Sequence, residues 1–233
     1  MIGQAVILAA GLGTRLGRPF PKPLTQLNTG EAILVRQVRL LRDVFPGIRV
    51  MIVVGFKADL ILEAVPDACF AYNEAFDQSN TAVSLRKALT LCADDDVLWL
   101  NGDVVFDAAL LERVAAEAGN GRNLVCVNQA AVGEEEVKYS LDDSGRIAEI
   151  SKSVTDPHGE AIGINLISSH DREALIRALH RASDNDYFER GIELAIEADN
   201  LQFQPVDVSD RIAIEVDFGE DLERANQELS ESS

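Results

Sequence analysis

The amino-terminal segment places the tightest constraint on what this chain can fold into. Residues 5–10 form an apolar run of strand length, and a turn of small residues with Gly11 and Gly13 follows directly. Glycines permit positive φ angles and let backbone N–H groups approach a ligand closely. Arg15 and Lys22 then add two positive charges, which together with backbone donors suit a polyphosphate. Residues 11–24, called the glycine loop below, are therefore predicted to bind phosphate, with a tight turn and ordinary basic loop as the alternative.

Two other kinds of phosphate loop fit this segment poorly. A P-loop needs Lys and Ser or Thr directly after its second glycine, and the chain has neither there. A dinucleotide-binding fingerprint needs a third glycine that opens a helix. Leu16 occupies that position, and Pro19, Pro21 and Pro23 are incompatible with a helix at this point. An NAD-dependent hydride-transfer enzyme is therefore disfavoured.

The charge of the chain limits its partners. Acidic residues outnumber basic ones 39 to 21, and the formal net charge is −18. Nucleic acids and anionic membranes need a basic surface, so neither is expected as a partner. A phosphate ligand in so acidic a chain is expected to require a divalent cation. No membrane span and no signal peptide are apparent, and a cytoplasmic location is predicted.

The cysteines and histidines carry little functional signal. Cys69, Cys92 and Cys126 are scattered and flanked by apolar residues, and they are expected to be buried free thiols in a reducing compartment. The histidines lack metal-ligand spacing, so zinc is not expected.

Strand-like and helix-like segments alternate along the chain, which predicts an α/β fold. The expected architecture is a three-layer α/β/α sandwich with a mixed, mainly parallel central sheet, built as a single domain over residues 1–229 with a frayed tail at 230–233. Ligands bind at the carboxyl ends of strands in such sheets, where the glycine loop lies. The predicted strands are 5–10, 50–54, 69–72, 97–100, 123–127, 160–167, 201–203 and 212–216, with a hairpin over 139–150. The predicted helices are 31–44, 58–64, 81–91, 108–118, 171–182, 188–197 and 220–229.

Three carboxylates are candidate metal ligands. Asp103 follows the buried strand 97–100, and Asp107 is the more natural cap of the next helix, which leaves Asp103 available for Mg²⁺. Glu215 and Asp217 stand two apart on a predicted strand, so they share a face. The alternatives are a turn aspartate and a polar outer face of an edge strand.

Asn80 and Ser84 lie four residues apart at the start of a predicted helix. An amide and a hydroxyl there can bind a base edge or a ribose. Capping of the helix by Ser79 is the alternative.

The glycine loop resembles the signature of nucleotidyltransferases that activate sugar phosphates and phospho-alcohols. Residues 8–16 read Leu-Ala-Ala-Gly-Leu-Gly-Thr-Arg-Leu, and Pro-Lys-Pro-Leu follows at 21–24. The resemblance implies a Rossmann-like fold and assigns Asp103 and Asp217, with Glu215, to Mg²⁺. It implies that Lys22 stabilises the α-phosphate and that Arg15 and the loop amides hold the β- and γ-phosphates. The implied nucleotide-binding residues are Leu8, Ala9, Ala10, Gly11, Gly13, Thr14, Arg15, Lys22, Asn80 and Ser84.

Residues 72–85 resemble one branch of this family more than the others. Tyr-Asn-Glu followed by Ser-Asn-x-x-Ser-Leu is similar to cytidylyltransferases that act on phosphocholine, inositol phosphate and aminoalkyl phosphonates. Lys152 matches a lysine that holds the acceptor phosphate in that family, and Glu160 and Glu189 match acidic positions near the acceptor. A solvated surface lysine is the alternative for Lys152.

The implied activity is Mg²⁺-dependent transfer of a nucleoside monophosphate, with CMP from CTP favoured. The acceptor is expected to be a phosphomonoester or phosphonate such as phosphocholine, and pyrophosphate is released. Two alternatives stay open: a hexose-1-phosphate or inositol-phosphate nucleotidyltransferase, and a nucleotide-sensing module of the same fold without catalysis.

Overall fold

A nine-stranded mixed sheet forms the centre of the structure, a computed structural model that describes residues 2–13, 19–119, 121–129, 133 and 136–231. The strands are β1 (Ile2–Ala9), β2 (Arg49–Val54), β3 (Cys69–Tyr72), β4 (Asp96–Asn101), β5 (Val104–Phe106), β6 (Asn123–Asn128), β7 (Lys138–Leu141), β8 (Ile147–Ser151), β9 (Gly159–Ile167), β10 (Phe203–Asp207) and β11 (Ala213–Glu215). The helices are α1 (Ile33–Val44), α2 (Ala58–Ala64), α3 (Thr81–Leu91), α4 (Ala108–Glu117), α5 (Arg172–Arg181), α6 (Phe188–Asp199) and α7 (Gly219–Glu231).

The order of the strands confirms the predicted α/β class. The main path runs β10-β6-β9-β4-β1-β2-β3, and β7 and β8 extend it beside β9. The neighbours of β1 on both sides are parallel to it, whereas β9 is antiparallel to both β4 and β6. The main path has four parallel and two antiparallel pairs, so along it the sheet is mixed and mainly parallel, as predicted.

Alternating side chains of β1 divide the core into two layers. Ile7 packs in a cluster with residues of α1, α2 and α4, and Val6 packs in another with residues of α3, α5 and α6. Successive strand residues point to opposite faces, so an uninterrupted apolar run is the expected sequence of a strand covered on both sides. The two clusters confirm the three-layer sandwich.

The last two predicted strands differ from the structure. The strand predicted at 201–203 begins at Phe203 and continues to Asp207. The strand predicted at 212–216 is not part of the central sheet, because β11 pairs antiparallel with β5 in a separate two-stranded sheet. β5 was not predicted, since a three-residue strand is too short to show a period. This small sheet matters for the site, because it aligns Glu215 with Val104.

Two smaller expectations also need correction. Cys69 is exposed, whereas Cys126 is buried, and all three thiols are free. The predicted tail is helical through Glu231, and residues 232–233 lie outside the described part of the chain. None of the helices in the described ranges combines the length and apolarity needed to cross a bilayer.

Gly55 makes a close contact that no other residue would allow at the carboxyl end of β2. A Cβ atom there would lie 2.5 Å from the Cβ of Phe76 and 2.6 Å from the carbonyl oxygen of Ala10. We expect Gly55→Ala to lower the free energy of unfolding by about 1–3 kcal/mol, the usual cost of overpacking. Urea denaturation measures this. Gly219→Ala is the control, because its new Cβ would have no neighbour within 4 Å, and an equal effect in both variants would contradict the packing argument.

Candidate active site

A cavity of about 460 Å³ opens at the carboxyl ends of β1 and β4 and contains most of the predicted site. Glu160 does not line it, and Thr14 and Arg15 lie outside the described residues. The predicted residues that line it are Leu8, Ala9, Ala10, Gly11, Gly13, Lys22, Asn80, Ser84, Asp103, Lys152, Glu189, Glu215 and Asp217.

Lys22 bridges two carboxylates from distant parts of the chain. Its Nζ donates to Oδ2 of Asp103 at 2.6 Å and to Oδ1 of Asp217. Burial lowers the pKa of Lys22, but the two carboxylates outweigh burial, so the net shift is upward. Gly13 has a φ of +60° and lies so close to Lys22 that a Cβ on it would sit 3.0 Å from the lysine Cβ. The stem of the lysine therefore packs directly against the second glycine of the loop.

Three acidic residues meet around this ammonium. Asp103, Glu215 and Asp217 each offer a carboxylate oxygen, and these oxygens lie within 4.8 Å of one another. Val216 donates its backbone N–H to the carbonyl oxygen of Asp103 at 3.0 Å, which extends the β5–β11 pairing to the site. The pairing explains how two segments far apart in sequence converge.

The acidic cluster has the properties of a divalent cation site. Oδ1 of Asp103 is buried and has no hydrogen-bond partner among the described residues. Burial and the negative charge of Asp103 raise the pKa of Glu215 well above its usual range, although Lys22 opposes the shift. Mg²⁺ and Mn²⁺ prefer carboxylate oxygens of this kind. The residues present therefore fit a hard divalent ion.

Asp221 holds the backbone that carries Asp217. Its Oδ2 accepts hydrogen bonds from the backbone N–H groups of Asp217 at 3.1 Å and Phe218 at 2.8 Å. The acidic residues at the start of α7 thus order the turn between β11 and the helix.

Asn80 and Ser84 differ in what they offer to a ligand. Asn80 is the N-cap of α3, because its Oδ1 accepts from the backbone N–H of Thr81 and its Nδ2 donates to the carbonyl of Asn185. Ser84 is buried, and its Oγ accepts from Nδ2 of Asn73 at 3.0 Å, which leaves the hydroxyl hydrogen to donate. Ser84 therefore retains the chemistry predicted for it, whereas the amide of Asn80 serves the helix.

Asn73 is a site residue that the sequence reasoning missed. It is buried in the cavity wall, and its amide also donates to Ser79 at 3.1 Å. Its position directly after β3 could have identified it, because the carboxyl ends of parallel strands meet at the same edge.

Lys152 and Glu189 add one positive and one negative side chain to the cavity wall. Nζ of Lys152 lies 5.7 Å from the centroid of the Tyr187 ring, a cation–π arrangement. Glu189, in the first turn of α6, is only 6% exposed, and its Oε2 has no hydrogen-bond partner among the described residues. Burial raises the pKa of Glu189 to about 7, although the charge of Lys152 opposes the shift.

Glu160 does not contribute to this cavity wall. It stands on β9, and its Oε1 accepts from Nδ2 of Asn128 at 3.2 Å. Burial and the neighbouring charge of Glu136 raise its pKa. Its predicted role at the acceptor therefore lacks the geometry that Glu189 has.

The comparison with protein families agrees with this geometry. The family model of the MobA-like NTP transferase domain matches residues 5–188. The chain belongs to this family. A nucleoside triphosphate with a phosphorylated acceptor is the typical substrate pair of proteins in this family.

Two curated relatives indicate different substrates. A CMP-5'-(3-aminopropyl)phosphonate synthase of Streptomyces rubellomurinus is 40% identical over 48% of this NTP transferase, which spans only 19% of the length of that relative. A UTP–glucose-1-phosphate uridylyltransferase of Haloferax volcanii is 24% identical over 99% of this chain and 98% of its own.

A solved structure supports the fold. The inositol-1-phosphate CTP transferase from T. maritima superposes with a TM-score of 0.81 over 98% of this chain and 95% of its own. The identity is 16%, so the likeness concerns the fold alone.

Proposed function

We propose that this protein transfers CMP from CTP to a small acceptor that carries a phosphate or phosphonate, such as phosphocholine, and releases pyrophosphate. The observation that carries the proposal is the position of Lys22 between Asp103 and Asp217, in a cavity that Lys152 and Glu189 also line. The first group suits the reacting phosphates, and the second suits an acceptor with both signs of charge.

The reaction needs little proton transfer. An oxygen of the acceptor phosphate is already an anion at neutral pH, so it attacks the α-phosphorus without a general base. A new P–O bond forms, the bond from the α-phosphorus to the oxygen shared with the β-phosphate breaks, and pyrophosphate leaves with that electron pair. Catalysis then consists of positioning and charge stabilisation.

Each residue has a role in that scheme. Lys22 leaves its carboxylate partners to bind the α-phosphate as negative charge grows there, and Lys152 orients the acceptor phosphate. Mg²⁺ held by Asp103, Asp217 and Glu215 would supply charge neutralisation for the phosphates. Arg15 and the amides of residues 11–14 hold the β- and γ-phosphates, as the family resemblance implies.

Glu189 favours an acceptor that carries a cationic group. A buried carboxylate that lines a cavity and has an unpartnered oxygen is costly unless a ligand supplies a cation or a donor. Phosphocholine and aminoalkyl phosphonates both carry a cation. A primary ammonium also donates a hydrogen bond, which favours the aminoalkyl phosphonate, and the name of the Streptomyces relative combines CMP with such a group.

A hexose-1-phosphate uridylyltransferase is the second candidate, because the Haloferax relative aligns over almost the whole chain. A coupled assay for pyrophosphate distinguishes the candidates when four nucleoside triphosphates are tested against phosphocholine, 2-aminoethylphosphonate, inositol phosphate and glucose 1-phosphate. CTP with a cationic acceptor is expected to give the fastest release. Preference for UTP and glucose 1-phosphate would overturn the proposal, and nucleotide binding without any release would indicate a sensor.

A further inference from the structure

The ammonium of Lys22 contacts two of the three carboxylates that fit a divalent ion. Nζ is 2.6 Å from Oδ2 of Asp103 and contacts Oδ1 of Asp217, and both residues belong to the acidic cluster with Glu215. Mg²⁺ approaches its oxygen ligands to about 2.0–2.1 Å. An ion that used the same two oxygens would therefore be almost in contact with the ammonium.

Solvent screens this part of the molecule weakly. The side chains of Lys22, Asp103 and Asp217 are 11%, 18% and 27% exposed. Repulsion between a monovalent and a divalent cation is strong at short distance and low exposure. The two cations cannot share these carboxylates without a large cost.

The backbone of Lys22 is held while the end of its side chain can move. Lys22 opens a short 3₁₀ turn, its stem lies against Gly13, and the next residue, Pro23, is buried. A lysine side chain has four rotatable bonds, so the ammonium can leave the carboxylates for an anion at the glycine loop without displacement of the backbone.

We infer that Lys22 is an internal competitor of the divalent ion. In the protein without nucleotide the ammonium neutralises Asp103 and Asp217 and weakens binding of free divalent ions. A triphosphate at the glycine loop attracts Lys22 away and frees the carboxylates, so nucleotide and ion bind with positive coupling. This inference rests on the proposed metal site, but it concerns binding and requires no turnover.

Mn²⁺ alone, with no nucleotide, is the probe. The free Mn²⁺ signal in electron paramagnetic resonance is measured with wild type, Lys22→Met and Lys57→Met. We expect the Kd of Lys22→Met for Mn²⁺ to be at least about tenfold lower than that of wild type. Repulsion between the two cations over a few ångströms exceeds that factor even with strong screening. Lys57→Met removes the same charge from a lysine that contacts the carbonyl of Pro19, outside the cluster, and its Kd should equal that of wild type.

Two further arms keep the inference falsifiable. The double variant Lys22→Met/Asp103→Asn should lose the gain, which places the Mn²⁺ in the cluster. A non-hydrolysable CTP analogue should tighten Mn²⁺ binding more in wild type than in Lys22→Met. Binding of Mn²⁺ to the analogue in the absence of protein is measured separately and subtracted. Equal Kd values for wild type and Lys22→Met, or a gain that persists in the double variant, would overturn the inference. If Lys22→Met does not fold, Lys22→Gln replaces it with the same expected gain. An inactive protein that still shows the gain would contradict only the proposed function.

Discussion

Replacement of Asp103 by asparagine is expected to reduce the rate of nucleotidyl transfer by about a thousandfold, at the upper end of the loss from deletion of a single transition-state contact. Asp103 contacts Lys22, and its second oxygen is buried and has no partner in the described part of the chain. An asparagine has nearly the same shape, but it cannot neutralise a divalent ion or hold the ammonium by charge. The coupled pyrophosphate assay at saturating CTP and acceptor measures the loss as a fall in kcat.

The matched control is Asp67→Asn. Asp67 pairs with Arg42 at 2.8 Å, and its side chain is 65% exposed and lies outside the cavity. Surface pairs of this kind contribute little to stability, so its turnover should equal that of wild type. Thermal melts show whether Asp103→Asn remains folded. A folded Asp103→Asn protein with kcat within about tenfold of wild type would remove Asp103 from the proposed mechanism, because a loss of at least about a hundredfold is usual for such a contact.

The sequence predicted the framework of the fold because strong local patterns specify it. The strands β1, β2 and β4 are apolar runs that end at polar or small residues, and such runs are diagnostic when a sheet is covered on both faces. The glycine loop was likewise recognisable from the sequence. Its glycines and prolines restrict the backbone, and its positive charges restrict the kind of ligand it can bind. Asp107 was predicted as a helix cap, and its Oδ1 accepts from the backbone N–H of Leu110 at 2.8 Å.

The convergence of the site could not be predicted in the same way. β5 and β11 have three residues each, too few to show a period, yet their pairing brings Asp217 to Asp103. The ion pairs of Lys22 are likewise a product of tertiary structure. Sequence patterns identify residues on elements, whereas contacts between distant segments depend on how the elements pack.

A second limit on prediction from sequence is that residues of similar chemistry cannot be told apart. Ser79 and Asn80 are about equally good helix caps, and only the structure shows that Asn80 caps α3. Glu160 and Glu189 are two acids in a chain with 39, and no pattern separates them. Their positions in the structure separate them, because Glu189 lies in the cavity wall and Glu160 does not.

Replacement of Glu189 by glutamine is expected to raise the KM for an aminoalkyl phosphonate by about 10–100-fold, the value of a charge-assisted hydrogen bond. The KM for inositol phosphate, which has no cation, should change little, and kcat should be largely kept because the proposed mechanism gives Glu189 no contact with the reacting phosphates. Glu160→Gln is the matched control, since it removes an equivalent charge outside the cavity. Equal effects of Glu189→Gln on acceptors with and without a cationic group would contradict a charge-based role.

The acidity of Glu189 adds a dependence on pH. Its pKa is raised to about 7, so protonation below neutral pH removes the charge that attracts the acceptor, and the wild-type KM should rise between pH 8 and pH 6. The KM of Glu189→Gln should stay flat. Because the folded pKa is above the ordinary one, the carboxyl stabilises the fold at low pH and loses this contribution as pH rises through 7. At pH 8 the glutamine variant should therefore melt no lower than wild type, which separates an effect on acceptor binding from a loss of folded protein.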